Sequence, residues 1–202
     1  KTKEDIEAVL APKVYGTFYL DEATWHEKLD FFVFFSSIAA VTGNMGQSDY
    51  AYANSFMDTF AAWREELRAT GKRSGKTLSI NWPLWQEGGM RVDEQTEKLL
   101  AETTGLRALT TEAGLAVFTR GLAFEGSQLL VVEGEREKIR HLPGLKNDSH
   151  PDQPAFISAP EVEGNYALGD SGPADSDLSG LELADKNLSG LDLSDKDPSG
   201  SD

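Results

Sequence analysis

The sequence predicts an α/β fold: a partial Rossmann-like parallel sheet with flanking helices, followed by a disordered acidic tail. Three observations lead there. The run Phe31–Phe35 is apolar on both of its alternating faces, which suits a central parallel strand better than an exposed antiparallel one. Strand-like runs at 31–35, 77–82 and 128–133 alternate with helical patterns, as in layered α/β sheets. Charge then divides the chain. Of a net −15, residues 146–202 carry −10, with 13 Asp/Glu against 3 Lys, which leaves −5 for residues 1–145. The first stretch reads as an ordinary folded domain and the second as a solvated linker.

The elements follow in order. Residues 3–10 are helix-like, with Ile6, Val9 and Leu10 at helical spacing. Pro12 either kinks this helix or opens a second piece through Val14, Phe18 and Leu20, since proline is tolerated in a first turn. After the strand at 31–35, residues 43–49 form a loop. A long helix over 49–69 then carries Phe56, Met57, Phe60, Trp63 and Leu67 as its buried stripe. Gly71–Gly75 is a basic turn, Thr77–Trp82 a second strand, and Pro83 ends it because proline cannot continue a central ladder. A loop over 84–92 leads to a helix over 93–102 closed by Gly105. Thr111 caps a further helix through Leu122, and Gln128–Glu133 is the third strand.

Beyond Lys146, Pro, Ser, Gly and Asp dominate, the composition of a linker. A ten-residue repeat, 177–186 and 187–196, resembles a pentapeptide repeat with Leu178, Leu183, Leu188 and Leu193 at the central positions. Stacked coils of that kind must bury one another, and so short a run gives little more than one coil. The linker reading is therefore the expectation for 146–202.

Composition excludes several chemistries. There is no cysteine, hence no disulfide, thiol nucleophile or thiolate metal site. His26, His141 and His150 are dispersed without metal-ligand spacing. No apolar run approaches the roughly 20 residues that span a bilayer, so no membrane partner and a cytoplasmic location are expected. The acidic balance argues against nucleic acid, which needs concentrated Lys and Arg. The opening Lys1, followed at once by a helical pattern, reads as an excised or incomplete segment.

One constellation stands out. Ser37 ends the Phe31–Phe35 run, Tyr50 lies 13 residues on at the start of the long helix, and Asn54 is one turn further on the same face. Lys13 lies 24 residues before the serine. Open α/β sheets place ligands at the carboxyl ends of their strands, and two hydroxyls, an amide and an ammonium suit proton delivery to a ketone. Each residue also has a plainer reading. Ser36 or Ser37 ends a strand, Tyr50 is a packed aromatic with Tyr52 as competitor, Lys13 is a surface charge, and Asn54 steadies a helix turn.

The stretch from Phe31 to Asn54 resembles the catalytic half of a polyketide synthase ketoreductase domain, a member of the short-chain dehydrogenase/reductase superfamily. Leu10–Gly16 resembles the upstream motif that supplies the active-site lysine, and Ser79–Met90 the segment after the next strand. The resemblance covers residues 1–145. It implies NADPH-dependent reduction of a β-ketoacyl thioester, tethered through phosphopantetheine to an acyl carrier protein, within a larger synthase and beside its other domains. Tyr50 would protonate the ketone oxygen and Ser37 would orient it. Lys13 would contact the nicotinamide ribose and make proton transfer feasible near neutrality, and Asn54 would hold the relay. Pro83 and Leu84 would line the nicotinamide pocket, so that Lys13, Tyr50, Pro83 and Leu84 form the cofactor contacts.

The family binds NADPH through a Gly-rich turn after its first strand. Thr42–Gly46 is only superficially such a turn, lacking the third glycine and an acidic ribose ligand. The dinucleotide half is expected upstream of Lys1. The chain alone is then expected to be marginal, aggregation-prone and without its own cofactor binding. Thr42 also stands where one product configuration is marked by tryptophan. The rival reading is a non-catalytic scaffold segment of a megasynthase. A sugar epimerase or dehydratase of the superfamily is disfavoured because position 54 is not lysine.

Overall fold

A computed structural model of the chain describes residues 1–145 and the backbone of residues 155–158. Helix α1 (Lys3–Leu10) starts at a reciprocal cap. Thr2 Oγ1 accepts the Asp5 N–H at 3.2 Å, and Asp5 accepts the Thr2 N–H at 2.9 Å. Pro12 does not end the helical path. It sits in the first turn of a widened, π-type stretch, Ala11–Tyr15, where a missing N–H costs little, and α2 (Gly16–Ala23) continues from it. Lys13 belongs to that widened stretch.

Among the described residues four parallel strands follow in the spatial order β1 (Phe31–Ser37), β2 (Lys76–Trp82), β3 (Gln128–Val132), β4 (Ala155–Ser158). The register sets Ser36 opposite Asn81 and Ser37 opposite Trp82. The expected parallel pairing holds, and among the described residues β1 lies at the edge of the sheet with its two faces unequally covered. Phe32 and Phe34 are buried, whereas Phe31 and Phe35 are about half exposed, and β1 pairs on one side alone. The stretch read as linker contains β4, which pairs with β3 from Leu129 to Val132. The ten-residue repeat lies outside the described residues.

Helices cover both faces. Helix α4 (Ser48–Ala69) packs on one face, where Met57, Phe60 and Ala61 close over Phe32 and Phe34. Helix α6 (Thr111–Gly121) packs on the other, where Ala113 and Val117 meet Leu78, Ile80, Trp82, Leu129 and Val131. Each large apolar side chain so buried contributes roughly 1.5–3 kcal/mol relative to exposure. Gly114 lets the Trp85 indole lie against α6, since a Cβ there would come within 2.1 Å of the ring. The cap of α6 is Thr110, not Thr111: Thr110 Oγ1 accepts the Ala113 N–H at 3.2 Å. Helix α5 (Glu94–Thr104) begins at Asp93, which accepts the Thr96 N–H at 2.9 Å, and ends at Gly105 with φ 77°. The short α3 (Ala39–Thr42) links β1 to the loop before α4, and α7 (Arg136–Ile139) closes over Leu130 and Val132. No helix among the described residues is long and apolar enough to cross a membrane.

The contact between α4 and β2 is polar rather than apolar. Thr77, Ser79 and Asn81 face α4 with no exposure, and the helix answers with Asn54, Asp58 and Arg64, all buried. Arg64 donates to Asp21 (2.8 Å), Thr77 Oγ1 (2.8 Å), Ser74 O (3.1 Å) and Gly75 O (3.3 Å), with its guanidinium 4.3 Å over the Phe32 ring. Arg73 forks Asp21 from the other side at 2.9–3.1 Å. A buried guanidinium is tolerable only when its donors and charge are met, as here.

Candidate active site

The site lies at the carboxyl end of β1, where the chain turns into α3 and α4 returns alongside. Strand alternation sends Ser36 and Ser37 to opposite faces. Ser36 is buried. Its hydroxyl donates to the Asn54 carbonyl oxygen at 3.3 Å and accepts from Asn81 Nδ2 at 3.0 Å. Ser37 is only half-buried, and its Oγ accepts the Ala39 N–H at 3.2 Å, which leaves its own hydroxyl hydrogen to donate. The two adjacent serines are thus unequal: one is used up inside the fold, the other is presented at the strand tip.

Tyr50 stands in the first turn of α4 and is half-buried. Asn54, one turn on, has no exposure. Its Nδ2 donates to the Tyr50 carbonyl oxygen at 2.7 Å, and its Oδ1 accepts from Lys13 Nζ at 3.0 Å. The amide therefore ties the turn bearing Tyr50 to the lysine. Lys13 Nζ also donates to Phe35 O at 3.3 Å and lies 5.6 Å from the centroid of the Tyr50 ring. No hydrogen bond joins Ser37 Oγ to the Tyr50 hydroxyl. Tyr52, the competing tyrosine, is 60% exposed, and no hydrogen bond or cation–π contact joins it to Lys13 or Asn54 among the described residues.

The electrostatics are unusual for a lysine. Among the described residues no carboxylate lies within ion-pair distance of Lys13, and both of its acceptors are neutral amide oxygens. Burial holds its pKa below the ordinary lysine range, offset in part by the charge of Asp58. Burial pushes the Asp58 carboxyl up, against the hydrogen bonds from Ser79, Asn81 and Ser36 and the charge of Lys13.

Pro83 and Leu84 follow β2 and line an apolar cleft with Ile38, Val92 and Leu106. The cleft reaches Ile38, the neighbour of Ser37, but Tyr50 and Lys13 do not line it. The structure thus brings Lys13, Tyr50 and Asn54 together in one contact network, with Ser37 at the adjoining strand tip, and sets Pro83 and Leu84 in a cleft on the Ser37 side. These residues fit the nicotinamide end of a dinucleotide. The ammonium spends two of its three donors on Phe35 and Asn54, keeping one for a ligand oxygen, and the apolar cleft on the Ser37 side suits a flat, weakly polar ring.

Sequence reasoning missed Asp58, Ser79 and Asn81. Asp58 Oδ1 accepts from Ser79 Oγ at 2.5 Å and Asp58 Oδ2 from Asn81 Nδ2 at 2.7 Å. Asp58 continues the four-residue spacing of Tyr50 and Asn54, and Asn81 alternates with Ile80 and Trp82. Those spacings were the available signal.

Residues 1–87 match the KR domain family. Over 140 residues, 69% of its length, the chain is 50% identical to polyketide synthase PksN and 46% identical to polyketide synthase PksL, both of Bacillus subtilis (strain 168). It spans about 3% of the length of each of these relatives. Among solved structures it resembles a ketoreductase domain from the bacillaene assembly line, with 46% identity and a TM-score of 0.65, covering 69% of this chain and 34% of that one. An N-terminal ketoreductase from the macrolactin assembly line shows 48% identity and a TM-score of 0.58, covering 69% of this chain and 26% of the other.

Proposed function

This chain belongs to the ketoreductase (KR) domains of modular polyketide synthases, and from that premise we propose that it supplies the proton-delivering groups for reduction of a β-ketoacyl thioester to the β-hydroxyacyl product. NADPH, when bound, supplies the hydride that attacks the β carbon. The Tyr50 hydroxyl donates its proton to the carbonyl oxygen as the carbon–oxygen π bond breaks. Ser37, with its hydroxyl hydrogen uncommitted, donates a hydrogen bond to the same oxygen and fixes its position. Lys13 places a positive charge near the ring that becomes anionic and offers its remaining donor to the cofactor ribose. Asn54 holds that ammonium through Oδ1 and steadies the Tyr50 turn through Nδ2. Pro83 and Leu84 form the apolar wall for the nicotinamide ring. The substrate arrives on the phosphopantetheine arm of an acyl carrier protein, beside the other domains of the synthase.

The observation that carries this reading is the Lys13–Asn54–Tyr50 contact set: a half-buried ammonium with no ion-pair partner among the described residues, beside a half-buried tyrosine at the end of a parallel strand. The test is NADPH consumption by the full-length protein with acetoacetyl-N-acetylcysteamine as substrate. Tyr50→Phe is expected to lower turnover by about 10³-fold, within the 10²–10⁴ range of general acid catalysis, with NADPH affinity preserved. Turnover at the parent rate in that variant removes Tyr50 as the proton donor.

A further inference from the structure

The tip of β2 carries a second layer behind the reacting groups. Asn81 has no exposure, and its Nδ2 is shared among three acceptors: Asp58 Oδ2 at 2.7 Å, Ser36 Oγ at 3.0 Å and the backbone oxygen of Ser37 at 3.1 Å. Its amide cannot turn over freely. Gln128 Nε2 on β3 donates to Asn81 Oδ1 at 3.0 Å, so the oxygen faces β3 and the NH₂ group faces β1 and α4. Asp58 is fixed in turn by Ser79 Oγ at 2.5 Å. One side chain thus touches the strand that ends in Ser37 and the helix whose first turn carries Tyr50.

We propose that Asn81, oriented by Asp58 and Gln128, is a positioning residue that sets the Ser37 hydroxyl relative to Tyr50. The inference rests on the reading of Ser37 and Tyr50 given above. Register alone places Ser37 opposite Trp82, yet nothing in strand pairing fixes the end of β1 against α4. The Asn81 amide does so, from the Ser37 carbonyl on one side to the Asp58 carboxylate on the other. The Ser37–Ile38 peptide plane is held on one edge by the Ile38 N–H donating to Trp82 O at 3.0 Å and on the other by the Asn81 amide on the Ser37 carbonyl. The second bond trims its tilt and so where Oγ points as the chain turns into α3. A shift on the order of 1 Å between reacting groups is enough to cost about 10²-fold in rate.

The experiment exchanges the pair. Asp58→Asn/Asn81→Asp keeps a donor–acceptor bond between the two positions, and the new carboxylate still accepts from Gln128. It puts an acceptor against the Ser37 carbonyl, where a donor had been. In the full-length protein, thermal stability and NADPH-dependent reduction of acetoacetyl-N-acetylcysteamine are measured for Asn81→Leu, for the exchange variant and for the parent. The expected result is that Asn81→Leu lowers both Tm and kcat, while the exchange restores most of the Tm and leaves kcat roughly 10- to 100-fold down at unchanged KM. Recovery of Tm and kcat together overturns the inference, because a purely structural clamp would recover both. Should the exchange variant not fold, Gln128→Leu decides, being at the half-buried start of β3: a several-fold lower kcat with parent KM supports the inference, and a parent kcat overturns it. A Ser37→Ala variant with parent turnover is a different failure, one that removes the reading of Ser37 itself.

Discussion

The two faces of β2 are equally dry and differently built. Toward α6 the strand presents Leu78, Ile80 and Trp82; toward α4 it presents Thr77, Ser79 and Asn81. The apolar face is held by area removed from water, a term indifferent to direction. The polar face is held by two sets of directed bonds: Asp21, Arg64 and Thr77 at one end, and Ser79, Asp58, Asn81, Ser36, Asn54 and Lys13 at the other. Each of those groups loses solvation on burial and recovers it only when its partner sits at the right distance and angle. Burial of this kind adds little net stability and a great deal of geometry. In the proposed site Lys13, Tyr50 and Asn54 sit at the strand end of the polar face and Ser37 at the β1 tip on the opposite face, so α4 and β1 must keep a fixed relation.

The contrast can be broken in three places. The largest effect is expected from Asp21→Asn, which leaves the fully buried Arg64 beside a neutral amide. A loss of about 4 kcal/mol at neutral pH is expected, within the range for a buried pair that loses one partner, read by urea denaturation. Its pH dependence has a definite sign. Burial opposes ionisation of Asp21, but the hydrogen bonds and charges of Arg73 and Arg64 outweigh it and hold the carboxyl below its ordinary value. A depressed acid contributes stability above its unfolded pKa and loses it as pH falls through the folded value. The gap between parent and Asp21→Asn should therefore narrow as pH drops below about 4. A gap that stays constant from pH 7 to pH 2 would mean that Asp21 acts through packing alone.

Leu78→Ala comes next, on the apolar face. Removal of a fully buried leucine should cost roughly 3 kcal/mol, with kcat and KM within about two-fold of the parent when assayed well below its Tm. A selective loss of kcat there would erase the distinction between the faces. Smallest is Ser36→Ala, which deletes one hydroxyl that bonds to the Asn54 carbonyl oxygen and to Asn81 Nδ2. About 1 kcal/mol of stability is expected to go, with turnover reduced far less than in Ser37→Ala. Equal losses from the two serines would contradict the division between a committed and a presented hydroxyl.

Much of the fold could be read from residue order, and the reason is visible in which residues succeeded. Phe31–Phe35, Thr77–Trp82 and Gln128–Glu133 are short runs of strand-forming residues with an apolar face, bounded by turn signals, and Pro83 and Gly105 end their elements for steric reasons. Parallel direction followed from the helices between the strands. Lys13, Tyr50 and Asn54 were legible through spacing joined to motif, and they meet in space. What escaped notice was the face of α4 toward β2. Neither reading of Asn54, as relay member or as a residue that steadies a helix turn, points to β2, and Asp58 and Arg64 sit among Glu65, Glu66 and Arg68 like the solvated charges of any surface helix. Their burial depends on Thr77, Ser79, Asn81 and Asp21, residues distant in sequence. The stripe from Phe56 to Leu67 was only half the story, because Phe56, Trp63 and Leu67 are partly exposed while Ala53, Ala61 and Arg64 are buried deepest. The strand at 155–158 lay hidden for a compositional reason, as four residues inside a Pro- and Asp-rich stretch offer no period to detect.

The most direct measurement is a double-variant cycle on turnover in the full-length protein: parent, Ser37→Ala, Tyr50→Phe, and both changes together. Two hydroxyls that serve one carbonyl oxygen act as a unit, so the double variant should be no slower than the worse single variant by more than about three-fold. Losses that multiply, with the double variant slowed by the product of the two single effects, would show that Ser37 and Tyr50 act on separate atoms.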